Sequence, residues 1–178
     1  MNMEATGSRF RRRVARVAIG CALASAALLA APAQAVGIGA VAPAFALPDG
    51  AAKIVSLRGL KGHVVYVDFW ASWCGPCRRS FPWMSAMQKK YGAQGLEVIA
   101  INVDKRRADA DRFLAQVPAQ FTTVFDPSGA TPGSYDVKAM PSSILIDADG
   151  NVALVEEGFR DERRDALEAR IRALLDRS

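Results

Sequence analysis

Two cysteines placed between a predicted strand and a predicted helix constrain this sequence more than any other feature. Residues 64–70 are almost all β-branched or aromatic, which predicts a central strand buried on both faces and interrupted only by Asp68. Residues 78–91 place apolar side chains on one face of a helix. Cys74 and Cys77 lie between them. Because the N–H groups and partial positive charge of a helix N-terminus lower the pKa of a thiol, we expect a reactive pair.

The spacing in Trp73-Cys74-Gly75-Pro76-Cys77 suits a disulfide. Two intervening residues let the sulfurs bond across the first helical turn, and a proline is tolerated there because its missing N–H would be unpaired anyway. We expect Cys74 to be exposed and Cys77 to face inward. The Cys74 thiolate would attack a disulfide of a partner, and Cys77 would then attack the mixed disulfide and release the reduced partner.

Three other roles for the cysteine pair are weaker. A zinc site is disfavoured because the chain after residue 35 has no other cysteine and a single histidine, His63. Attachment of c-type haem needs C-x-x-C-H, and the residue after Cys77 is Arg78. An inert structural disulfide remains an alternative, although so short a loop constrains the unfolded chain very little. We therefore predict no metal site.

Asp68 is the second candidate site residue. An acid in so apolar a strand should be buried behind the cysteines, and burial raises the pKa of a carboxyl group. The functional interpretation is that Asp68 exchanges a proton with Cys77 during the reaction. The alternative is an acid at a strand end that pairs with a lysine or with solvent.

Pro141 stands at the start of a predicted strand, where a proline cannot donate to the hydrogen-bond ladder. A cis peptide bond between Met140 and Pro141 would account for it. An ordinary proline that begins a strand is the alternative.

Residues 1–35 have the layout of a secretory signal peptide. Arginines precede an apolar stretch at 17–31, and Ala33-Gln34-Ala35 offers a cleavage site, so we expect the mature protein to begin at Val36. Cys21 would be removed with this leader. An uncleaved membrane anchor is the alternative, although a spanning helix needs about 20 residues. The prediction is a periplasmic or otherwise exported protein, which is membrane-anchored if the leader is retained.

Most of the net positive charge belongs to this leader. The chain has 23 Lys and Arg against 18 Asp and Glu, and five of the basic and one of the acidic residues precede Val36, which leaves a net charge of +1. That balance gives no support to binding of nucleic acid or of a membrane surface. We expect residues 36–178 to form one domain that acts as a monomer.

The rest of the chain alternates strands with helices. Strands are predicted at 96–103, 121–125, 142–147 and 151–156, and helices at 108–117 and 161–177. Ala148-Asp149-Gly150 indicates a hairpin, and Asp161 is the predicted N-cap of the last helix. This order predicts an α/β fold in which a mixed central sheet carries helices on both faces.

The string from Val67 to Cys77 resembles the thioredoxin superfamily. Ala42-Pro43-Ala44-Phe45 and Met140-Pro141-Ser142-Ser143 are similar to its TlpA/ResA branch of exported proteins. The resemblance covers residues 36–178 and implies a thioredoxin-like fold with a cis Pro141 against the cysteines. It also implies that the Met140 backbone binds a substrate chain and that Asp68 matches the buried acid of thioredoxin. Trp73, Gly75 and Pro76 complete the predicted substrate-binding residues.

This resemblance implies an enzyme that reduces disulfides of exported proteins, uses no cofactor beyond the Cys74–Cys77 disulfide, and receives electrons from a membrane thiol donor. Many relatives in cytochrome c maturation have a Glu where this chain has Ser80, so that specialisation is not implied. A disulfide-forming oxidant of the same fold is one alternative. A copper-binding or copper-delivery module that uses the cysteines with Met84 or Met87 is another, unless those methionines pack in the core.

Overall fold

The computed structural model describes residues 36–178, so the leader with Cys21 lies outside the described part. The strands are β1 (Ala46–Pro48), β2 (Ile54–Ser56), β3 (Val64–Trp70), β4 (Leu96–Asn102), β5 (Thr122–Phe125), β6 (Ser142–Ile146) and β7 (Val152–Glu157). The helices are α1 (Cys77–Tyr91), α2 (Arg107–Gln116), α3 (Ala130–Ser134) and α4 (Arg164–Leu175). The predicted elements therefore form, with ends displaced by a few residues at most.

Five strands form a mixed sheet in the order β5-β4-β3-β6-β7, and β1 and β2 form a separate antiparallel ribbon. Strands β3, β4 and β5 are parallel neighbours, whereas β6 is antiparallel to both β3 and β7. The parallel pairs are joined through α1 and α2, and the antiparallel pair β6–β7 is joined by a tight turn, as these two kinds of pairing require. The predicted α/β fold with a mixed central sheet is confirmed.

The two faces of the sheet are covered differently. Side chains of α1, α2 and α4 pack on the face that carries Tyr66 and Trp70 of β3. The opposite face, which carries Val65, Val67 and Phe69, packs against the N-terminal segment, the β1–β2 ribbon and the end of the short α3. All seven residues of β3 are buried, which confirms the strand predicted from its composition. The loop that carries the cysteine pair follows directly after this fully buried strand.

The turn between β6 and β7 forms as predicted. Asp147 accepts hydrogen bonds from the N–H groups of Asp149 and Asn151, at 3.1 and 2.8 Å. Gly150 has φ of 92°, which is the left-handed region that favours glycine.

The predicted start of the last helix is wrong. Asp161 is not an N-cap, because it already lies inside a 3₁₀ turn, Asp161–Arg163, that leads into α4. The extended residue before this turn is Arg160, whose side chain makes no capping bond. The Asp161 carboxylate instead pairs with Arg164 at 2.5 Å, so the acid stabilises the first turn without capping it.

Gln88 of α1 completes the hydrogen bonding of β4 where the neighbouring strand is missing. β5 pairs with β4 only from Ile99 onward. Before that point the Gln88 side chain donates to the Leu96 carbonyl at 3.1 Å and accepts from the Val98 N–H at 2.7 Å. The Gln88 side chain therefore supplies the backbone hydrogen bonds that a neighbouring strand would otherwise make to the first residues of β4.

Gln88→Ala is expected to lower the free energy of unfolding by about 2 kcal/mol, because two part-buried backbone groups lose their partners. Urea unfolding measures this, with the midpoint shifted and the slope unchanged. The matched control is Gln94→Ala, whose amide makes one exposed bond to the Lys90 carbonyl and should change stability little. Equal midpoints for the two variants would contradict the assignment.

None of the helices in residues 36–178 is both long enough and apolar enough to cross a membrane.

Candidate active site

The cysteine pair forms a disulfide at the start of α1. The Cys74–Cys77 S–S distance is 2.03 Å and the Cα atoms are 5.4 Å apart. The Cys77 N–H points to the Cys74 sulfur at 3.3 Å. The first turn of α1 holds no acidic side chain, while Arg78 and Arg79 lie in it. A thiolate on Cys74 would therefore meet a backbone donor and the positive end of the helix.

Cys74 is less accessible than the sequence predicted. Cys77 is fully buried, as expected, but Cys74 is only 3% exposed, so the expectation of an exposed first cysteine is wrong for this disulfide form. The Cys74 sulfur accepts a hydrogen bond from the Cys77 N–H, and Cys74 belongs to the apolar cluster of the α1 face. The exposed group is the neighbouring Trp73, at 71%. Gly75 and Pro76 are also exposed.

Asp68 is fully buried beneath α1. Its neighbours on the same face of β3 are Tyr66, which contacts Trp83, and Trp70, which contacts Phe81. Since both contacts are to side chains of α1, Asp68 lies beneath the first half of this helix, which begins at Cys77. The alternative of an acid at a strand end does not fit this position, because Asp68 is flanked by buried strand residues on both sides.

Burial controls the protonation of Asp68. Oδ1 accepts a hydrogen bond from the Ser143 hydroxyl at 2.7 Å, whereas Oδ2 is buried without a hydrogen-bond partner. Desolvation raises the pKa of Asp68 to about 7, and the Ser143 hydrogen bond opposes the rise. Burial and the nearby Asp68 charge likewise raise the pKa of Tyr66. A carboxyl group that titrates near neutral pH can take and return a proton under ordinary conditions.

Met140 and Pro141 lie at the same end of the sheet as the cysteines. Ser142, the first residue of β6, pairs with Phe69 near the end of β3, so the two residues before it lie beside the point where the chain enters the cysteine loop. The Met140–Pro141 peptide bond is cis. Met140 is half-buried against the cluster that contains both cysteines. The structure thus brings together all of the predicted site residues, while their roles in catalysis stay predictions.

Met84 and Met87 do not face solvent near the pair. Both are buried in the core of the α1 face. Within residues 36–178, no group of three or more His, Cys, Asp and Glu side chains is arranged to hold a metal ion.

Sequence reasoning missed two residues that shape the site, Ser143 and Asp104. The Ser143 hydroxyl donates to Asp68. The Asp104 carboxylate accepts hydrogen bonds from the backbone N–H and the hydroxyl of Ser72 in the cysteine loop, each at 2.9 Å. One signal was available for Asp104, because it follows a strand that was predicted to be parallel to β3. The ends of neighbouring parallel strands meet at one edge of a sheet. Ser143 had no such signal, since its alignment with Asp68 depends on register.

Comparison with known proteins agrees with this geometry. The family model described as Redoxin matches residues 38–171. The chain is 35% identical over 131 residues to a thiol-disulfide oxidoreductase ResA of Bacillus cereus, covering 74% of this chain and 75% of the relative. It is 33% identical over 129 residues to the protein of the same name from Bacillus subtilis, covering 72% of each.

A solved structure extends the likeness to the fold. The crystal structure from Chlorobium tepidum with the description thiol:disulfide interchange protein DsbE superposes with a TM-score of 0.77 at 55% identity. The match covers 79% of this chain and 99% of that chain.

Proposed function

Because this chain belongs to the Redoxin family and is a TlpA/ResA-like thiol-disulfide oxidoreductase of the thioredoxin superfamily, we propose that it reduces disulfides of exported proteins through Cys74 and Cys77. One observation carries the proposal: the two cysteines are bonded at the N-terminus of α1, and the first half of this helix packs over the sheet face that holds a buried carboxyl group, whose pKa burial raises to about 7. A purely structural disulfide has no use for such a carboxyl group.

In the reduced protein, the Cys74 thiolate attacks one sulfur of the partner's disulfide. That S–S bond breaks, one partner sulfur leaves as a thiolate that takes up a proton, and a mixed disulfide joins Cys74 to the partner. The Cys77 thiol then gives its proton to the Asp68 carboxylate, and its sulfur attacks Cys74. The second partner sulfur leaves, so two electrons have moved from the cysteine pair to the partner.

Trp73, Gly75, Pro76 and the Met140–Pro141 segment form the surface that receives the partner. Trp73 offers a large exposed aromatic face beside the reacting sulfurs, which is the type of residue that anchors protein contacts. The Met140 backbone offers hydrogen bonds to an extended substrate chain. The protein acts as a monomer, and a membrane thiol donor returns the pair to the dithiol form.

Export is part of this proposal, and the signal-peptide pattern of residues 1–35 supports it. The protein recovered from the periplasm is expected to begin at Val36, and intact-mass measurement checks this. A mass that still includes residues 1–35 would instead support the anchored form.

The reduction potential of the Cys74/Cys77 couple tests the direction of electron flow. Trp73 lies beside the pair and Trp70 lies in the adjacent core, so tryptophan fluorescence in glutathione buffers can follow the equilibrium. A value near the roughly −270 mV of thioredoxin supports a reductant, whereas one near roughly −120 mV identifies a disulfide-forming oxidant. The copper alternative has no observation in its favour, because its candidate methionines are core residues.

A further inference from the structure

A second buried acid, Asp104, lies beside the cysteine pair and takes no part in the mechanism above. It follows β4 and is 7% exposed. Its carboxylate accepts hydrogen bonds from the Ser72 N–H and hydroxyl, both at 2.9 Å, and from the Asn102 amide at 2.8 Å. The Asp104 N–H donates back to the Asn102 side chain at 3.1 Å.

No lysine or arginine among residues 36–178 forms a salt bridge with Asp104. The adjacent Lys105 donates to the Pro127 carbonyl, and Arg106 pairs with Asp109. Buried carboxylates are usually paired with a cation because removing the charge from water is costly. Here hydrogen-bond donors compensate the charge, and no ion pair among the described residues neutralises it.

The nearest reactive group is Cys74. It lies two residues after Ser72, and its N–H donates to the Ala71 carbonyl at 3.0 Å, so the loop turns tightly. Since successive Cα atoms are about 3.8 Å apart, the Cys74 sulfur lies on the order of 10 Å from the Asp104 carboxylate. At that separation and an effective dielectric constant of about 20, two unit charges shift an ionisation by about one pKa unit.

Other charged groups also face this end of α1. Arg78 donates to Gln116 and lies over the Phe113 ring, and Asp109 is paired with two arginines. Further charged or titratable groups near this end are Arg79 in the first turn of α1, Cys77, Lys138 in the segment before Met140, Asp68 beneath the helix, and Glu157 of β7, which pairs with Ser142. Of the acids in this set, only Asp104 is bonded to the loop that carries Cys74.

We propose that Asp104 opposes ionisation of Cys74 and thereby makes the Cys74/Cys77 pair a stronger electron donor. The thiolate is a charged form of the reduced pair, whereas the disulfide is neutral. A nearby negative charge therefore destabilises the reduced state relative to the disulfide. Asp104 is a positioning residue as well, because the same carboxylate fixes the loop in front of Trp73. The inference rests on the proposed function and adds a cause for the direction of electron flow.

Asp104→Asn tests the charge while keeping the shape. The Cys74 thiol pKa, measured from the pH dependence of alkylation in the reduced protein, is expected to fall by about one unit. At a pH above the measured Cys74 pKa, the equilibrium with glutathione should shift about tenfold toward the reduced pair, which is about 30 mV. The shift should vanish at a pH well below the measured pKa, because Cys74 is then a thiol in both proteins. A merely structural role would not produce this pH dependence.

Two control variants separate the effect of the Asp104 charge from two other effects. One is the loss of a hydrogen bond to Asp104, and the other is the change in the net charge of the protein. Ser72→Ala removes one bond to Asp104 but keeps its charge, and Asp111→Asn removes an exposed acid of α2. Both should leave the Cys74 pKa unchanged. If Asp104→Asn does not fold, Asp104→Ser also removes the charge and carries the same expectation.

An unchanged or raised Cys74 pKa in the charge-removing variant would overturn the inference, as would an equal fall in Ser72→Ala. Failure of the proposed function is distinguishable from this result. In that case the unmodified protein itself would not exchange disulfides, whereas failure of the inference leaves exchange intact.

Discussion

Asp68→Asn is expected to make the protein more stable above neutral pH, by about 2 kcal/mol at pH 8. Burial raises the pKa of Asp68 from 3.8 to about 7, and each unit corresponds to about 1.4 kcal/mol, so ionising this carboxyl in the folded state costs about 4 kcal/mol. Asparagine carries no charge and so avoids this cost. Its buried amide N–H groups lack a partner, however, and this offsets roughly half of the stabilisation.

The direction in which the free energy of unfolding changes with pH follows from which state releases the Asp68 proton first. Below pH 4, Asp68 is protonated in the folded and unfolded states alike, so it contributes no pH dependence. Between about pH 4 and pH 7 only the unfolded chain releases the proton, and the free energy of unfolding falls as the pH rises. Above pH 7 both states are ionised and the loss is complete. The asparagine variant should therefore lack this fall, and because its amide costs about 2 kcal/mol at every pH, it should become the more stable protein only above about pH 5.

Urea unfolding at several pH values measures this difference. Asp149→Asn is the matched control, because Asp149 is an exposed acid in the β6–β7 turn. The same variants test the proton transfer, since Asp68→Asn should remove the step near pH 7 from the pH profile of disulfide reduction. Parallel stability curves for Asp68→Asn and the unmodified protein would rule out the buried charge as the cause.

Cys77→Ser is expected to trap the mixed disulfide between Cys74 and a partner and to abolish turnover. In the unmodified protein the Cys77 sulfur is held at bonding distance from Cys74, so its attack is intramolecular. An external thiol at millimolar concentration replaces it poorly, and the multiple-turnover rate should fall by at least about 10³-fold. Incubation of the reduced variant with a disulfide-bonded protein such as insulin, followed by intact-mass analysis without reductant, detects the adduct.

Cys74→Ser is the matched control for this trap. It keeps one thiol of the pair, but that thiol belongs to the fully buried Cys77, so no adduct should accumulate. An adduct on Cys74→Ser but not on Cys77→Ser would reverse the roles of the two sulfurs. Absence of an adduct from both variants would contradict the exchange mechanism.

The centre of the site could be predicted because it depends on local sequence. The apolar run of β3 indicated a strand buried on both faces, and the cysteine spacing indicated a bond across the first turn of α1. The same run indicated that Asp68 is buried, since a strand enclosed on both sides has no exposed face. The exposure of Cys74 was predicted wrongly because it depends on how the bonded sulfur packs against other elements.

The sequence by itself determined the strand, the cysteine turn, the helix and the burial of Asp68, because each follows from residues close together in the chain. Only the tertiary structure placed Ser143 opposite Asp68 and Asp104 against Ser72, across 75 and 32 residues of chain. Such contacts depend on strand register and on which strands become neighbours. Both are decided by packing of the whole sheet, which no local pattern encodes.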